Sequence, residues 1–110
     1  MRIIKIDDVK TTDGTFGRKI KNLLTSAEGA EHLAINWIHF PPHVELEKHS
    51  REGEEILIPL EGKGYIKTEK GEFPITPGMV VFFASGDVHA HCTKDEELTQ
   101  LVLFAPPTRR

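Results

Sequence analysis

The stretch HSREGEEILIPLEG, residues 49–62, decides how this chain folds. It sets an imidazole, a guanidinium and several carboxylates directly ahead of ILIPL, an apolar run of strand length. Residues two apart on an extended chain share a face, so His49 and Arg51 point the same way, and Glu55 joins them if the pattern carries through the turn at Gly53. That face runs straight into apolar sequence and therefore towards an interior. The cluster is either a solvated strand entrance or a gathering of ligands around a metal.

A second polar island, SGDVHAHCT at 85–93, places His89 and His91 two residues apart again. Two histidine-bearing strands in one small β domain can converge on a single centre. Neutral imidazole together with carboxylate suits Fe, Mn, Ni, Cu or Zn, and with Cys92 as the sole cysteine a thiolate site is excluded. Two histidines and one carboxylate with open positions is the composition of non-haem Fe(II) oxygenase sites. The set His49, Glu55 and His89 carries this reading, whereas His32, His39 and His43 are read as strand-surface or satisfied core histidines. Cys92, on the opposite face from His91, is read as a small buried hydrophobe.

Strand signals fill the remainder. RIIKI, GRKIKNLL, HLAINWIHF, VELEKH, EILIPL, GYIKTE, GEFPI, MVVFFA, VHAHCT and ELTQLVLFA are separated by Gly, Pro and charged turns, and no segment keeps a 3.6-residue apolar period for three turns. TSAEGAEH after Leu24 is a short helical turn or a loop. EGKG (61–64), EKGE (69–72) and TPGM (76–79) each supply a glycine for a hairpin turn. The tail APPTRR ends the last strand as a frayed or surface-packed terminus. Trp37, Phe40, Leu57, Ile66, Phe82, Phe83, Leu101 and Leu103 are the expected lining of a barrel, which small closed sheets can shape into a pocket for one ligand.

Composition narrows the function. At 110 residues the chain is long enough for one core without disulfides or a structural metal. A net charge of -3 and only one short basic cluster, GRKIK, give no electrostatic case for nucleic acid. The N-terminal stretch MRIIKIDDVK puts acidic residues where a signal peptide would carry its apolar run, and no run reaches membrane-spanning length, so the expected location is cytoplasmic. Side-chain amides are scarce, being Asn22, Asn36 and Gln100.

The spacing His49, one residue, Arg51, three residues, Glu55, six residues, Gly62 resembles the first motif of the cupin superfamily, G-x5-H-x-H-x3,4-E-x6-G, with His43 at its leading glycine. The second motif, G-x5-P-x-G-x2-H-x3-N, is similar to Gly78, Ala84, Gly86, His89 and Thr93 at the same intervals. The resemblance implies an all-β fold, a single-domain cupin (double-stranded β-helix, or jelly-roll) barrel over 1–110, with motifs at about 43–62 and 78–93. It also implies a mononuclear divalent transition metal, a small-molecule substrate, and a homodimer paired through an N-terminal strand and sheet edge. MRIIKI, an alternating edge strand, is safer paired than exposed.

The departures from the motifs shape the functional expectation. Arginine stays protonated and cannot ligate as imidazole does, so Arg51 reduces the family's ligand set to His49, Glu55 and His89. Arg51 then either clamps a substrate carboxylate or phosphate, or pairs with Glu55 or Glu54 in a metal-free pocket. His91, displaced one strand step of roughly 6 to 7 Å, is expected to contact substrate or move a proton rather than ligate. His43 at a glycine position is compatible with positive φ, and Ala84 and Thr93 are expected to alter the loop rather than the centre. Two functions stay open: an enzyme of dioxygenase, decarboxylase, isomerase or lyase type with Arg51 and His91 as catalytic residues, or a non-catalytic small-molecule-binding cupin.

Overall fold

The computed structural model describes residues 1–107, and the last three residues of the APPTRR tail lie outside them. The strands are β1 (Thr12–Asp13), β2 (Lys19–Leu24), β3 (Ala34–Phe40), β4 (Glu54–Gly62), β5 (Gly64–Thr68), β6 (Gly71–Ile75), β7 (Val81–Phe83), β8 (Ala90–Cys92) and β9 (Leu98–Ala105). They form two antiparallel sheets, ordered β1-β2-β3-β9-β4-β7 and β6-β5-β8. The sheets face one another as a jelly-roll barrel, whose core gathers Phe40, Leu57, Ile66, Ile75, Val102 and Phe104 among others. No helix among the described residues is long and apolar enough to cross a membrane.

Four expected strands or hairpins differ. RIIKI forms no strand and runs into a single 3-10 turn, Ile6–Asp8, because β1 already occupies the β2 edge and leaves Arg2 to Lys5 without a ladder to join. VELEKH is reduced to two isolated bridges, Glu45 with Cys92 and His49 with His89. EGKG is not a hairpin: it turns the chain from the six-stranded sheet into the three-stranded one. Gly62 makes that corner possible, since its φ is 83° and a Cβ there would stand 1.8 Å from the Glu97 carbonyl oxygen. TPGM likewise joins strands of different sheets. EKGE does close the β5–β6 hairpin, with Thr68 opposite Gly71. TSAEGAEH holds one 3-10 turn, Ser26–Glu28, with a capping box between Thr25 and Glu28.

Half of the expected lining faces the wrong way. Glu55 and Leu57 point inward, and the pairing of β4 with β9 sets Phe104 opposite Glu55 and Val102 opposite Leu57. Strand parity then turns Leu98, Gln100, Val102 and Phe104 inward and Leu101 and Leu103 outward. Trp37 and Phe82 also lie on the outer face, where the Lys21 ammonium stands 5.2 Å from the Trp37 ring centre. The reason is visible in β9 itself: Thr99, Leu101 and Leu103 are as apolar a set as the one containing Gln100, so alternation does not announce the buried side. Gln100 is fully buried despite its amide.

Candidate metal centre

The two motif loops meet through the backbone before any side chain is considered. His49 and His89 exchange paired N–H···O bonds of 2.9 Å, and the Gly86 N–H donates to the Arg51 carbonyl at 2.9 Å. Gly53, at φ 91°, lies so close to β9 that a Cβ would meet the Ala105 carbonyl oxygen at 1.9 Å. His43 takes φ 63° at the position where the motif has glycine. Thr93, standing for the motif's asparagine, accepts from the Val44 N–H at 3.0 Å and donates to the Pro41 carbonyl at 2.6 Å. These contacts hold the 41–53 segment against the 84–93 segment.

Four side chains converge inside that frame. One ligand atom from each of His49, Glu55, His89 and His91 lies within 4.8 Å of all the others. Glu55 enters near the start of β4, opposite Phe83 on one side and Phe104 on the other. His91 sits on β8 opposite Ile66. The geometry corrects one expectation, that His91 stands a strand step away from the centre. On the concave inner wall its ring converges with that of His89, with centroids 5.0 Å apart and planes at 77°.

Hydrogen bonds orient the imidazoles. His49 Nδ1 is 3.3 Å from the Glu47 carbonyl oxygen and His89 Nδ1 is 3.0 Å from that of Asp87. A carbonyl only accepts, so each Nδ1 carries the proton and each Nε2 turns a lone pair inward, the arrangement usual for metal-ligating histidine. His49 Nε2 and His91 Nδ1 are buried with no hydrogen-bond partner among the described residues. His89 Nε2 faces Glu55 Oε1 at 3.3 Å. Two lone pairs at that separation require a cation between them, either a proton or a metal. The donor set and its buried inner nitrogens therefore fit a divalent ion.

Without an ion, the His89–Glu55 contact is held by a proton on the imidazole, which stabilises the carboxylate. Burial alone would raise the Glu55 carboxyl, but contact with His89 and the neighbouring His91 and Arg51 outweigh it and hold it at about 2. Burial pushes His91 down to about 3, against the pull of Glu55, so its ring stays neutral. Burial lowers His49 as well, against the bond to Glu47. Arg51 Nε lies 3.9 Å from Glu55 Oε1, within ion-pair reach. The Phe83 ring stacks flat on His89, with centroids 3.6 Å apart.

The other histidines stay out of the cluster. His32 lies beside Glu31 and His43 beside Asp95, both at the surface, while His39 bonds to Thr99 and Glu97. Cys92 is buried, its thiol pushed up by burial. What spacing could not reveal is the inward convergence of His91 and the carbonyl anchors two residues before His49 and His89.

A barrel of this topology with an inward His/Glu cluster defines a class of small metal-capable β-barrels. The family model described as Cupin domain matches residues 36–104, and the chain belongs to that family. No curated protein matches the sequence significantly. Among solved structures, the polyketide cyclase RemF from Streptomyces resistomycificus superposes with a TM-score of 0.86 at 22% identity, over 97% of this chain and 82% of that one. A sugar phosphate isomerase from Silicibacter pomeroyi gives 0.78 at 23% identity, over 94% and 75%. A predicted oxalate decarboxylase from Thermotoga maritima gives 0.77 at 22%, over 94% and 98%. At such identities the likeness is one of fold.

Proposed function

We propose that this cupin is an enzyme that holds one divalent transition metal through His49, Glu55, His89 and His91 and acts on a small organic molecule in the barrel. The observation that carries the reading is the inward lone pairs: two imidazoles have their Nδ1 protons tied to carbonyls while their Nε2 atoms join a carboxylate and a third imidazole within 4.8 Å. Bound there, the ion would supply Lewis-acid polarisation of a substrate oxygen. Three imidazoles and one carboxylate from the protein would leave coordination positions for that oxygen on an ion that takes more than four ligands. His91, rather than carrying a proton, serves as the ligand that position 51 no longer supplies.

Arg51 has two tasks in this reading. Its permanent charge 3.9 Å from Glu55 helps keep the carboxylate ionised, and its half-buried side chain presents a guanidinium to an oxyanion formed at the centre. The cyclase, isomerase and decarboxylase neighbours support an enzyme without selecting a reaction. Elemental analysis of protein purified without chelator, beside a His49→Ala, His89→Ala double variant, tests the proposal. About one equivalent of metal in the native chain and none in the variant is the expected result. The Arg51–Glu55 contact favours a second reading, a metal-free binding protein, and no metal even after incubation with Fe(II), Mn(II), Ni(II) and Zn(II) would select it.

We propose a homodimer as the assembly. Ile35, Leu103, Ile56 and Phe82 form one row across the outer face of the six-stranded sheet, and Trp37, Leu101 and Ile58 form the next. Such a contiguous apolar sheet face is the kind that a second copy covers. Light scattering is expected to give twice the 12.4 kDa chain mass, and a monomer would remove the proposal. A reducing compartment such as the cytoplasm suits the lone buried thiol of Cys92.

A further inference from the structure

We propose that the cleft beside the cluster is a binding site for a planar, apolar organic molecule of one to three fused rings, carrying an oxygen group presented to the centre. The cleft has a volume of about 950 Å3 and is lined from β6 on one side and β7 on the other, where the two sheets part. That volume lies at the upper end of ordinary small-molecule pockets.

Its floor and the greater part of its walls are hydrocarbon. Ile66 and Ile75 are buried beneath it, while Phe73, which pairs with Ile66 on the same inner face, is 48% exposed at the mouth. Met79 and Val80, in the turn before β7, leave more apolar surface open to water on the opposite lip. The charged lining residues, Lys48, Glu69, Lys70 and Asp87, are all exposed, and the cleft reaches the cluster through Phe83 and His89. Polar recognition is thus confined to the mouth and to the metal-ligating end.

That distribution selects the ligand class. A flat ring between aliphatic and aromatic walls gains about 25 cal/mol for each Å2 of apolar surface withdrawn from water. A sugar phosphate or a dicarboxylate in the same place would meet polar groups only at the mouth and at the His89 end, and any oxygen set against Ile75, Val81 or Phe73 would cost roughly 1–3 kcal/mol. Continuity with His89 argues for a ligand rather than a protein partner, because a flat protein surface would not reach the floor of the cleft.

The proposal rests on the metal-centre reading for the oxygen group but not for the ring. Titration calorimetry on the full chain with 3-hydroxy-2-naphthoate, 2-naphthol, ribose 5-phosphate and oxalate tests it, each with metal-loaded and with chelated protein. Both naphthyl probes are expected to bind the loaded protein saturably, and 2-naphthol to keep its affinity within about threefold after chelation, since its ring contacts need no ion. Phe73→Gln with Val80→Gln, both at exposed positions, should weaken 2-naphthol at least about tenfold while leaving metal content and solution mass unchanged. Naphthyl binding by a chain that takes up no metal would sustain the cleft and reject only the metal centre. Tighter binding of ribose 5-phosphate or oxalate, or no saturable naphthyl binding by metal-loaded protein, would overturn the proposal. So would a double variant that keeps naphthyl affinity but changes mass, which would assign the cleft to a second copy of the chain.

Discussion

Two histidine–carboxylate groups in this molecule share ingredients and differ in outcome. On the outer side of β3, His39 Nδ1 lies 2.8 Å from Thr99 Oγ1 and Nε2 lies 3.0 Å from Glu97 Oε1, so both ring nitrogens are engaged by protein. In the barrel, His49 and His89 spend Nδ1 on backbone carbonyls and aim Nε2 at Glu55 and His91. The surface group closes its hydrogen bonding; the buried one holds it open. Burying an open polar atom costs about 1–3 kcal/mol, so the buried cluster is one that a bound ion would complete, whereas the surface group needs none.

The sharpest way to break that contrast is to remove one ring from each group. His89→Asn is expected to weaken Zn(II) affinity by at least about 100-fold in titration calorimetry, while His39→Asn leaves it within about twofold. Equal losses would erase the distinction, and circular dichroism melts would show whether both variants remain folded.

Acid should separate the groups next. His91 titrates near 6.5 when unfolded but only near 3 in the fold, so between those values the unfolded chain binds more protons and stability falls as pH falls. Glu55, lowered from 4.5 to about 2, adds a loss of the same sign below 4.5. The chelated protein is therefore expected to lose about 5 °C or more of melting midpoint from pH 7 to pH 5, and His91→Asn to flatten that slope. An unchanged midpoint would mean that His91 is not held neutral.

Arg51 gives a smaller effect of opposite direction. Removing a positive charge 3.9 Å from a ligand carboxylate should make room for a cation, and Arg51→Met is expected to tighten Zn(II) binding by about tenfold, moderated by the solvent that reaches the guanidinium. Weaker binding would show that Arg51 mainly positions Glu55. The smallest effect belongs to the surface group: Glu97→Gln should change stability in urea by less than about 0.5 kcal/mol, because its partner pair is exposed.

Much of the fold was legible from residues 43–62 and 78–93, since the apolar runs and motif intervals there are local properties of the chain. Glycine positions were legible for the same reason: Gly62 stands where no Cβ fits, and His43 takes the positive φ that its motif position implied. The N-terminal strand failed because a strand needs a partner edge, and β1 occupies the one at β2. The lining failed at Trp37, Phe82, Leu101 and Leu103 because both faces of the six-stranded sheet are apolar, one facing the core and the other half-buried or exposed on the outer side. Two of the three side-chain amides, Asn36 and Gln100, turned out to be buried, against every expectation from polarity.

By itself the sequence determined which side chains were available for a centre and that they lead into an interior: His49, Arg51, Glu55, His89 and His91 at alternating spacing. Only the tertiary structure decided that His91 converges with the others, that carbonyls two residues upstream turn two Nε2 atoms inward, and that an apolar cleft opens beside them. The physical reason is that spacing sets the face of a strand, whereas the curvature of the barrel wall, the hydrogen bonds of each ring and the gap between β6 and β7 arise from segments far apart in the chain.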